Sequence, residues 1–325
     1  MVTLGEEDDA LEDIREGIEI AMSDMGYEED DVDDIKFNKL AYFAIQEYGI
    51  PITYGWYKYG PAPVNVANRN VNISPRSKGE TPATNQPRIR RSSDFLSPEE
   101  YYYFFRDDLE EFEGIMQTET KEYLTGFYFE DAPDEYRDLY IAGAELQKVL
   151  DEVKEDASWH DEHEEVITLL NRRLPRVLHE VASNPKLDES EEAVRRYGNL
   201  LMEVIVTASE MKGLDEAQQR FIRNVVDYFY GGVWKYVALL ISRDTVDLSP
   251  GENQDRLLNS IEDDLKRIRA GYGKEVSRLE QEADEHGLTS DSAGVRVGSA
   301  EMFEEEDGFD ESDTMSVDDV LEELG

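Results

Sequence analysis

KFNKLAYFAIQEYGIPITYGWYKYGPAP, residues 36–63, is the stretch on which the reading of this chain turns. Phe37, Leu40, Ala41, Ala44 and Tyr48 recur at helical spacing and lay one apolar stripe along a helix whose other face holds Lys36, Lys39, Gln46 and Glu47. Gly49 stops that helix and Pro51 cannot extend it. Ile52, Tyr54 and Trp56 then alternate with Thr53, Gly55 and Tyr57, which predicts a short half-buried strand ending in a Gly60-Pro61 turn. In that arrangement Leu40, Phe43 and Trp56 are core residues of a helix packed on a small sheet.

Upstream, Leu11, Ile14, Ile18 and Met22 share one side of an acidic amphipathic helix with Gly26 near its end. Downstream, residues 64–96 are rich in Asn, Pro, Ser and Thr. There Arg69, Arg76, Lys78, Arg88, Arg90 and Arg91 stand against the single acid Glu80 between positions 69 and 91. Ser97-Pro98-Glu99-Glu100 reads as an N-cap, a proline at N1 and a glutamate at N3, a capping-box start. Helices are expected at about 98–129, with a break near Gly114 or Gly126, and at 134–155, 161–183, 189–211, 215–244 and 252–284. Asp188 with Glu191 offers a second capping box, and Val194, Tyr197, Leu201, Val204 and Ile205 form a buried stripe. The fold class is therefore mainly α: an N-terminal helical domain with a short strand or hairpin (1–130), a helical bundle (131–285), and an acidic, disordered tail (286–325). Val317, Val320, Leu321 and Leu324 fall at helical spacing, which fits either a short helix over 316–324 that folds into a partner's groove or a frayed end of that tail.

Acids outnumber bases 76 to 33, for a formal net charge of -43, so the chain repels itself in dilute buffer. Acids spread through the helices fit a protein working at molar salt, where the Debye length falls to about 3 Å. The composition thus reads as halophilic and archaeal. The charge is diffuse, which disfavours mimicry of nucleic acid. Without cysteine there are no disulfides, thiolate nucleophiles or cysteine-ligated metals. MVTLGEEDDALEDI lacks the basic and apolar regions of a secretion signal, so a cytoplasmic location is expected. Residues 225–241 are short of a membrane span and contain Asp227, Lys235 and Gly231-Gly232; a buried, kinked helix is expected.

No phosphate-cradling or nucleophile-elbow motif is present, and close carboxylate pairs arise by chance in so acidic a chain. His160, His163 and Glu164 would share one helical face, yet three ligands on one short helix do not close a zinc site. No catalytic residue, cofactor or metal is assigned. The basic stretch is either a solvated insertion between a strand and a helix or a binding segment, which suits an acidic protein surface, on a partner or on the chain's own helices, better than nucleic acid, because phosphate contacts weaken steeply with salt.

Lys36, Lys39, Leu40, Tyr42 and Phe43, followed by Trp56 and by Tyr59-Gly60-Pro61, resemble the Panacea (SocA-like) domain of prokaryotic antitoxins and proteolysis adaptors. Its early helix reads approximately K-L-x-K-L-x-Y-F before a tryptophan and Y-G-P; Phe37 and Ala62 stand where that family more often has leucine and valine. The resemblance covers fewer than thirty residues. It implies a mostly helical, non-enzymatic domain that binds a protein partner such as a toxin or protease component. The expected partner-binding positions are Lys36, Lys39, Trp56, Tyr57 and Tyr59, with Arg88, Arg90 and Arg91 from the basic stretch. The competing reading is a haloarchaeal helical scaffold or regulator unrelated to toxin control.

Overall fold

α1 (Leu4–Met25) and α2 (Asp34–Tyr48) pack together at the start of the chain. The computed structural model describes residues 4–28, 31–63, 95–155, 157–160 and 163–289. The basic stretch over 64–94, the tail from 290 and the expected helix 316–324 lie outside the described residues. Asp33 caps α2 by accepting from the Lys36 amide, and Gly49 closes it in the left-handed conformation, φ 59°. Two strands follow, β1 (Tyr54–Tyr57) and β2 (Gly60–Pro63), antiparallel with Trp56 opposite Pro61 and Tyr57 opposite Gly60. The turn is therefore Lys58-Tyr59, two residues before the expected Gly60-Pro61, and Gly60 and Pro61 belong to the second strand. β1 is also buried on both faces, Gly55 included, as is Thr53 just before it, because the segment is pressed between helices rather than laid on one surface.

The capping box at Ser97 forms with both of its hydrogen bonds and starts α3 (Pro98–Tyr103), which runs into a π-helical turn over Phe104–Asp108. α4 (Phe112–Gln117) and α5 (Thr120–Asp131) complete this stretch. The breaks fall at Leu109 and Thr118, both extended, and not at Gly114 or Gly126. Two local interactions set them. The π-turn closes with the Leu109 amide on the Phe104 carbonyl, 2.9 Å, and Glu119 restarts the helix by accepting from the Lys121 and Glu122 amides.

The bundle is built from α6 (Arg137–Glu155), α7 (His163–Ser183), α8 (Asp188–Ser209), α9 (Glu216–Tyr228), α10 (Trp234–Thr245) and α11 (Gln254–Glu285). Val194, Tyr197, Leu201, Val204 and Ile205 are all buried, as their spacing predicts. The kink expected in 225–241 is a π-helical turn over Phe229–Val233 between α9 and α10. The second capping box does not form: Asn184 caps a short 3-10 turn that leads into α8, and Asp188 is already helical. Asp215 with Gln218 forms one instead, at α9. Among the described residues no helix is long and apolar enough to cross a membrane.

A boundary near residue 130 leaves no break in packing, since buried side chains from Ala10 to Leu288 belong to one cluster. Polar contacts cross the same line. Glu7 of α1, 2% exposed, accepts from the Thr53 amide (3.1 Å), the Thr53 hydroxyl (3.0 Å) and Asn253 Nδ2 (2.6 Å). The Tyr54 amide donates to Ser249 Oγ, 2.9 Å, and Ser249 Oγ donates to the Ile52 carbonyl, 3.2 Å. One buried carboxylate thus joins the first helix, the approach to the hairpin and the entry to the last helix. Burial pushes the Glu7 carboxyl above its ordinary range, against the pull of its three donors.

Glu7→Ala leaves the Thr53 and Asn253 donors without their acceptor, and a loss of about 2–3 kcal/mol is expected in denaturant unfolding. Asp9→Ala, on the exposed face of α1, should shift the midpoint little. Equal effects of the two substitutions would refute this role for Glu7.

Candidate functional site

The 36–63 segment folds around three consecutive carbonyls. Tyr140 Oη of α6 donates to the Tyr57 carbonyl, 2.7 Å, and Trp234 Nε1 of α10 donates to the Lys58 carbonyl, 2.8 Å. Lys39 Nζ of α2 donates to the Tyr59 carbonyl. A buried turn cannot leave its carbonyls unpaired, and here each is met by a side chain from a different helix. Aromatic rings fill the space between them: Trp56 stacks on Phe127 (6.0 Å, 23°) and meets Tyr140 edge-on (5.6 Å, 62°). Tyr59 stacks on Tyr230 at 5.4 Å and 16°. Gly60, φ 92°, lets β2 leave this turn; a Cβ there would stand 2.5 Å from Lys39 Nζ and 3.3 Å from the Phe127 ring.

Lys39 is 1% exposed and its ammonium lies 4.4 Å from the centre of the Phe127 ring. Burial holds its amine well below the ordinary lysine value, with only the charge of Asp131 acting the other way. Asp131 itself is pushed up to about 6 by burial and by Glu130 and Glu111, with Lys39 opposing. At the tip of the hairpin, burial and the neighbouring Lys235 bring Lys58 down to about 8.

These positions correct the expectation of a partner-binding face. Lys36 (7% exposed), Lys39 and Trp56 (1%) are inside, because the lysine stems follow apolar surface and their ammonium groups end on backbone carbonyls, Met116 at 3.2 Å for Lys36 and Tyr59 for Lys39. Tyr57 and Tyr59 are half-buried, and burial raises both phenols. Arg88, Arg90 and Arg91 lie outside the described residues. The resembling motif is thus an internal hub.

The accessible part of α2 is its C-terminal edge. Phe43, Gln46 and Glu47 face Phe104, Asp108, Leu109, Glu110 and Glu111 across an open, mainly polar groove of about 460 Å3. Tyr48, assigned by spacing to the buried stripe, is 41% exposed and packs on Phe104 at 5.4 Å and Tyr101 at 6.5 Å. Burial raises its phenol, and the charges of Asp108, Glu47 and Glu100 push the same way. The π-turn builds the far wall: its extra residue per turn ends the helix at Leu109 and brings Asp108, Leu109, Glu110 and Glu111 together over Phe104. The run Asp107-Asp108-Leu109-Glu110-Glu111 was the available sign, since a lone leucine between acid pairs does not sustain a helical stripe.

His160 and His163 are structural. His160 Nε2 lies 3.0 Å from the Ala208 carbonyl, His163 Nδ1 lies 2.8 Å from the His160 carbonyl, and His160 ends a 3-10 turn apart from α7. Among the described residues no three His, Cys, Asp or Glu side chains are grouped to hold a metal ion.

The Lys39 shift fixes a sign. Its folded value lies below its unfolded one, so the stability it contributes is full above the ordinary lysine value of about 10.4 and is lost as pH falls toward the folded value. Across pH 6–10 the difference in urea midpoint between wild type and Lys39→Met should therefore grow with pH in favour of wild type; a constant difference would count against a lowered Lys39 amine. Gly60→Ala should cost at least about 2 kcal/mol, whereas Gly114→Ala, inside a helix with open space at its Cβ, should cost nothing and stabilise by up to about 1 kcal/mol.

No curated protein and no solved structure matches the chain. One family model does, over residues 1–306, and its span takes in the hairpin hub, the groove and the whole described bundle. The chain therefore belongs to the family described as Domain of unknown function (DUF8098).

Proposed function

We propose that this chain is a non-enzymatic protein-binding module, antitoxin-like or adaptor-like, that acts by associating with a protein partner in a high-salt cytoplasm. The groove carries the reading. It is the accessible edge of the same helix whose inner face bears the Panacea-like residues; Phe43, Phe104 and Leu109 line it among acidic side chains, and Tyr48, 41% exposed, packs on Phe104 beside it. Exposed aromatic rings beside a cleft are typical of binding surfaces. Trp56, Tyr59 and Lys39 then support the groove from beneath: Phe43 meets Phe127 at 5.9 Å, and Phe127 stacks on Trp56.

A helical scaffold or regulator unrelated to toxin control is favoured by a different observation: the family match and the continuous core both run through the two halves of the chain, so residues 36–63 are not set apart as an independent module. Both readings place the partner at the groove; they differ in what the partner is.

A photocrosslinking amino acid at Tyr48 should capture one partner in the native cytosol, and one at Arg172, exposed on α7, should not. The captured protein, produced separately, should bind wild type and should lose about tenfold or more in affinity against Tyr48→Ala with Leu109→Ser. Unchanged affinity would remove the groove from the proposal. A toxic captured protein, neutralised on co-expression, selects the antitoxin-like reading; a harmless one selects the scaffold.

The high-salt setting is tested by melting. With a net charge of -43, the chain should unfold at distinctly lower temperature in about 0.1 M KCl than in about 3 M, where the Debye lengths are about 10 Å and below 3 Å. Equal melting temperatures would contradict a halophilic protein.

A further inference from the structure

We infer that Lys58, set beside Lys235 at the tip of the hairpin, is a modification site whose amine takes up acyl groups from acyl thioesters ahead of the exposed lysines of the described residues. This site lies apart from the groove, and its test needs no partner protein.

The chain disposes of its lysines in three ways, and this pair fits none of them. Lys36 and Lys39 are buried and end on carbonyl groups, Met116 at 3.2 Å and Tyr59. Half-buried Lys121 meets Asp151 at 2.8 Å, and the exposed Lys154, Lys186 and Lys266 pair with Asp227 (2.6 Å), Glu135 (2.7 Å) and Asp263 (2.9 Å). Lys148, Lys212 and Lys274 are exposed, so water reaches their N–H groups. Lys58 and Lys235 are both half-buried, and among the described residues neither ammonium has a carbonyl or carboxylate to receive it. In a chain with 76 acidic residues such a pair is an exception.

The turn that carries Lys58 is pinned. Trp234 Nε1 holds the Lys58 carbonyl at 2.8 Å, and Tyr140 and Lys39 hold the carbonyls on either side. Lys235 directly follows Trp234, so the contact that fixes the turn also keeps the two lysines neighbours. The Lys58 backbone is therefore not free to swing outward and give its ammonium full hydration.

Nothing that faces the amine holds a proton on it. Lys235 of α10 repels it, and the Tyr57 ring of β1 lies 5.9 Å away, at the outer limit of a cation–π contact. Asp264 of α11, whose charge reaches the Tyr57 phenol, is matched by Arg267 at 2.7 Å. Burial, with Lys235 second, accordingly brings Lys58 to about 8. Lys39 is also driven down, but it is 1% exposed and occupied by the Tyr59 carbonyl, out of reach of a reagent. Lys58 joins an amine that sheds its proton near neutral pH to a position that a small reagent can touch.

A lysine that is desolvated or set beside a second cation is a nucleophile at neutral pH. At about pH 7.5 roughly a quarter of amines with a value of about 8 are unprotonated, against about one in a thousand at the ordinary lysine value of about 10.4. Lower basicity and half-burial offset part of that gain, and a net advantage of about tenfold is expected. In the step, the lone pair of Lys58 Nζ attacks the acyl carbonyl carbon, a C–N bond forms and the C–S bond breaks. The amine gives one proton to water, and the departing thiolate takes one from water; nothing is oxidised or reduced. The amide carries no charge, so the repulsion from Lys235 ends.

The probe is a small uncharged acetyl thioester, S-acetyl-N-acetylcysteamine, which the net charge of -43 neither attracts nor repels. Initial acetylation rates at each lysine of the full chain are read by peptide mass spectrometry in about 2 M KCl, from about pH 6.5 to about pH 10. At about pH 7.5 Lys58 should react about tenfold faster than Lys148, Lys212 and Lys274. Its rate should level off above about pH 9, whereas that of an ordinary lysine rises through about pH 10. Lys235→Met should slow Lys58 about threefold at about pH 7.5, because the neighbouring like charge is gone. A Lys58 rate no greater than those of the three exposed lysines would overturn the inference. So would a rate at Lys58 that climbs without a plateau to about pH 10, or one that Lys235→Met leaves unchanged.

Discussion

Three hydrogen bonds to the carbonyls of Tyr57, Lys58 and Tyr59 are the constraint on which the rest of the structure depends. A two-stranded hairpin is marginal by itself, and this one is further weakened because Pro61 and Pro63 supply no amide to the ladder. It persists because it is wedged into a helical protein whose side chains complete its hydrogen bonding. Each donor comes from a different helix, Lys39 from α2, Tyr140 from α6 and Trp234 from α10. The hairpin turn is accordingly the point where the early and late parts of the chain are registered against each other. Glu7, reaching Thr53 and Asn253, performs the same service at the other end of the hairpin.

Much of this was legible from residues alone. The stripe of Phe37, Leu40, Ala41 and Ala44, the stop at Gly49, the capping box at Ser97 and the heptad-like run from Val194 to Ile205 each rest on interactions within a few residues, and each is found. The expectation failed where long-range contacts decide. Lys36 and Lys39 are expected on the face opposite the apolar stripe, open to a partner, because a charged residue in a helical pattern ordinarily stays at the surface. What reversed that was a set of acceptors, the Met116 and Tyr59 carbonyls, that no local pattern announces. Asp188 follows the capping-box rule as well as Ser97 does, yet Asn184 had already opened a 3-10 turn one step earlier and took its place. Tyr48 occupies a stripe position but sits on the last turn of α2, beyond the reach of the core.

The groove was the hardest feature to foresee, and its origin explains why. It exists because a π-turn interrupts what composition reads as one long helix, and π-turns carry no strong residue signature. The second such turn, over Phe229–Val233, was anticipated only as a kink, through its two glycines. One turn builds a wall of the groove and the other delivers Tyr230 and Trp234 to the hairpin, so both departures from regular helix stand next to the features that make this fold distinctive.

Hub and groove share α2, and this gives the arrangement a mechanical consequence. Phe43 forms part of the groove floor and touches Phe127, which stacks on Trp56 and lies under the Lys39 ammonium. A displacement of Phe43 therefore acts, through a single ring, on the group that holds the Tyr59 carbonyl. Packed aromatic clusters give little under such pressure, because their interiors are as dense as crystals. The inner wall of the groove is thus backed by packed rings, while its rim consists of exposed carboxylates on the last turn of α2, in the π-turn and just after it. Groove and hub are therefore one mechanical unit, tied through Phe127, and not a surface laid over a separate core.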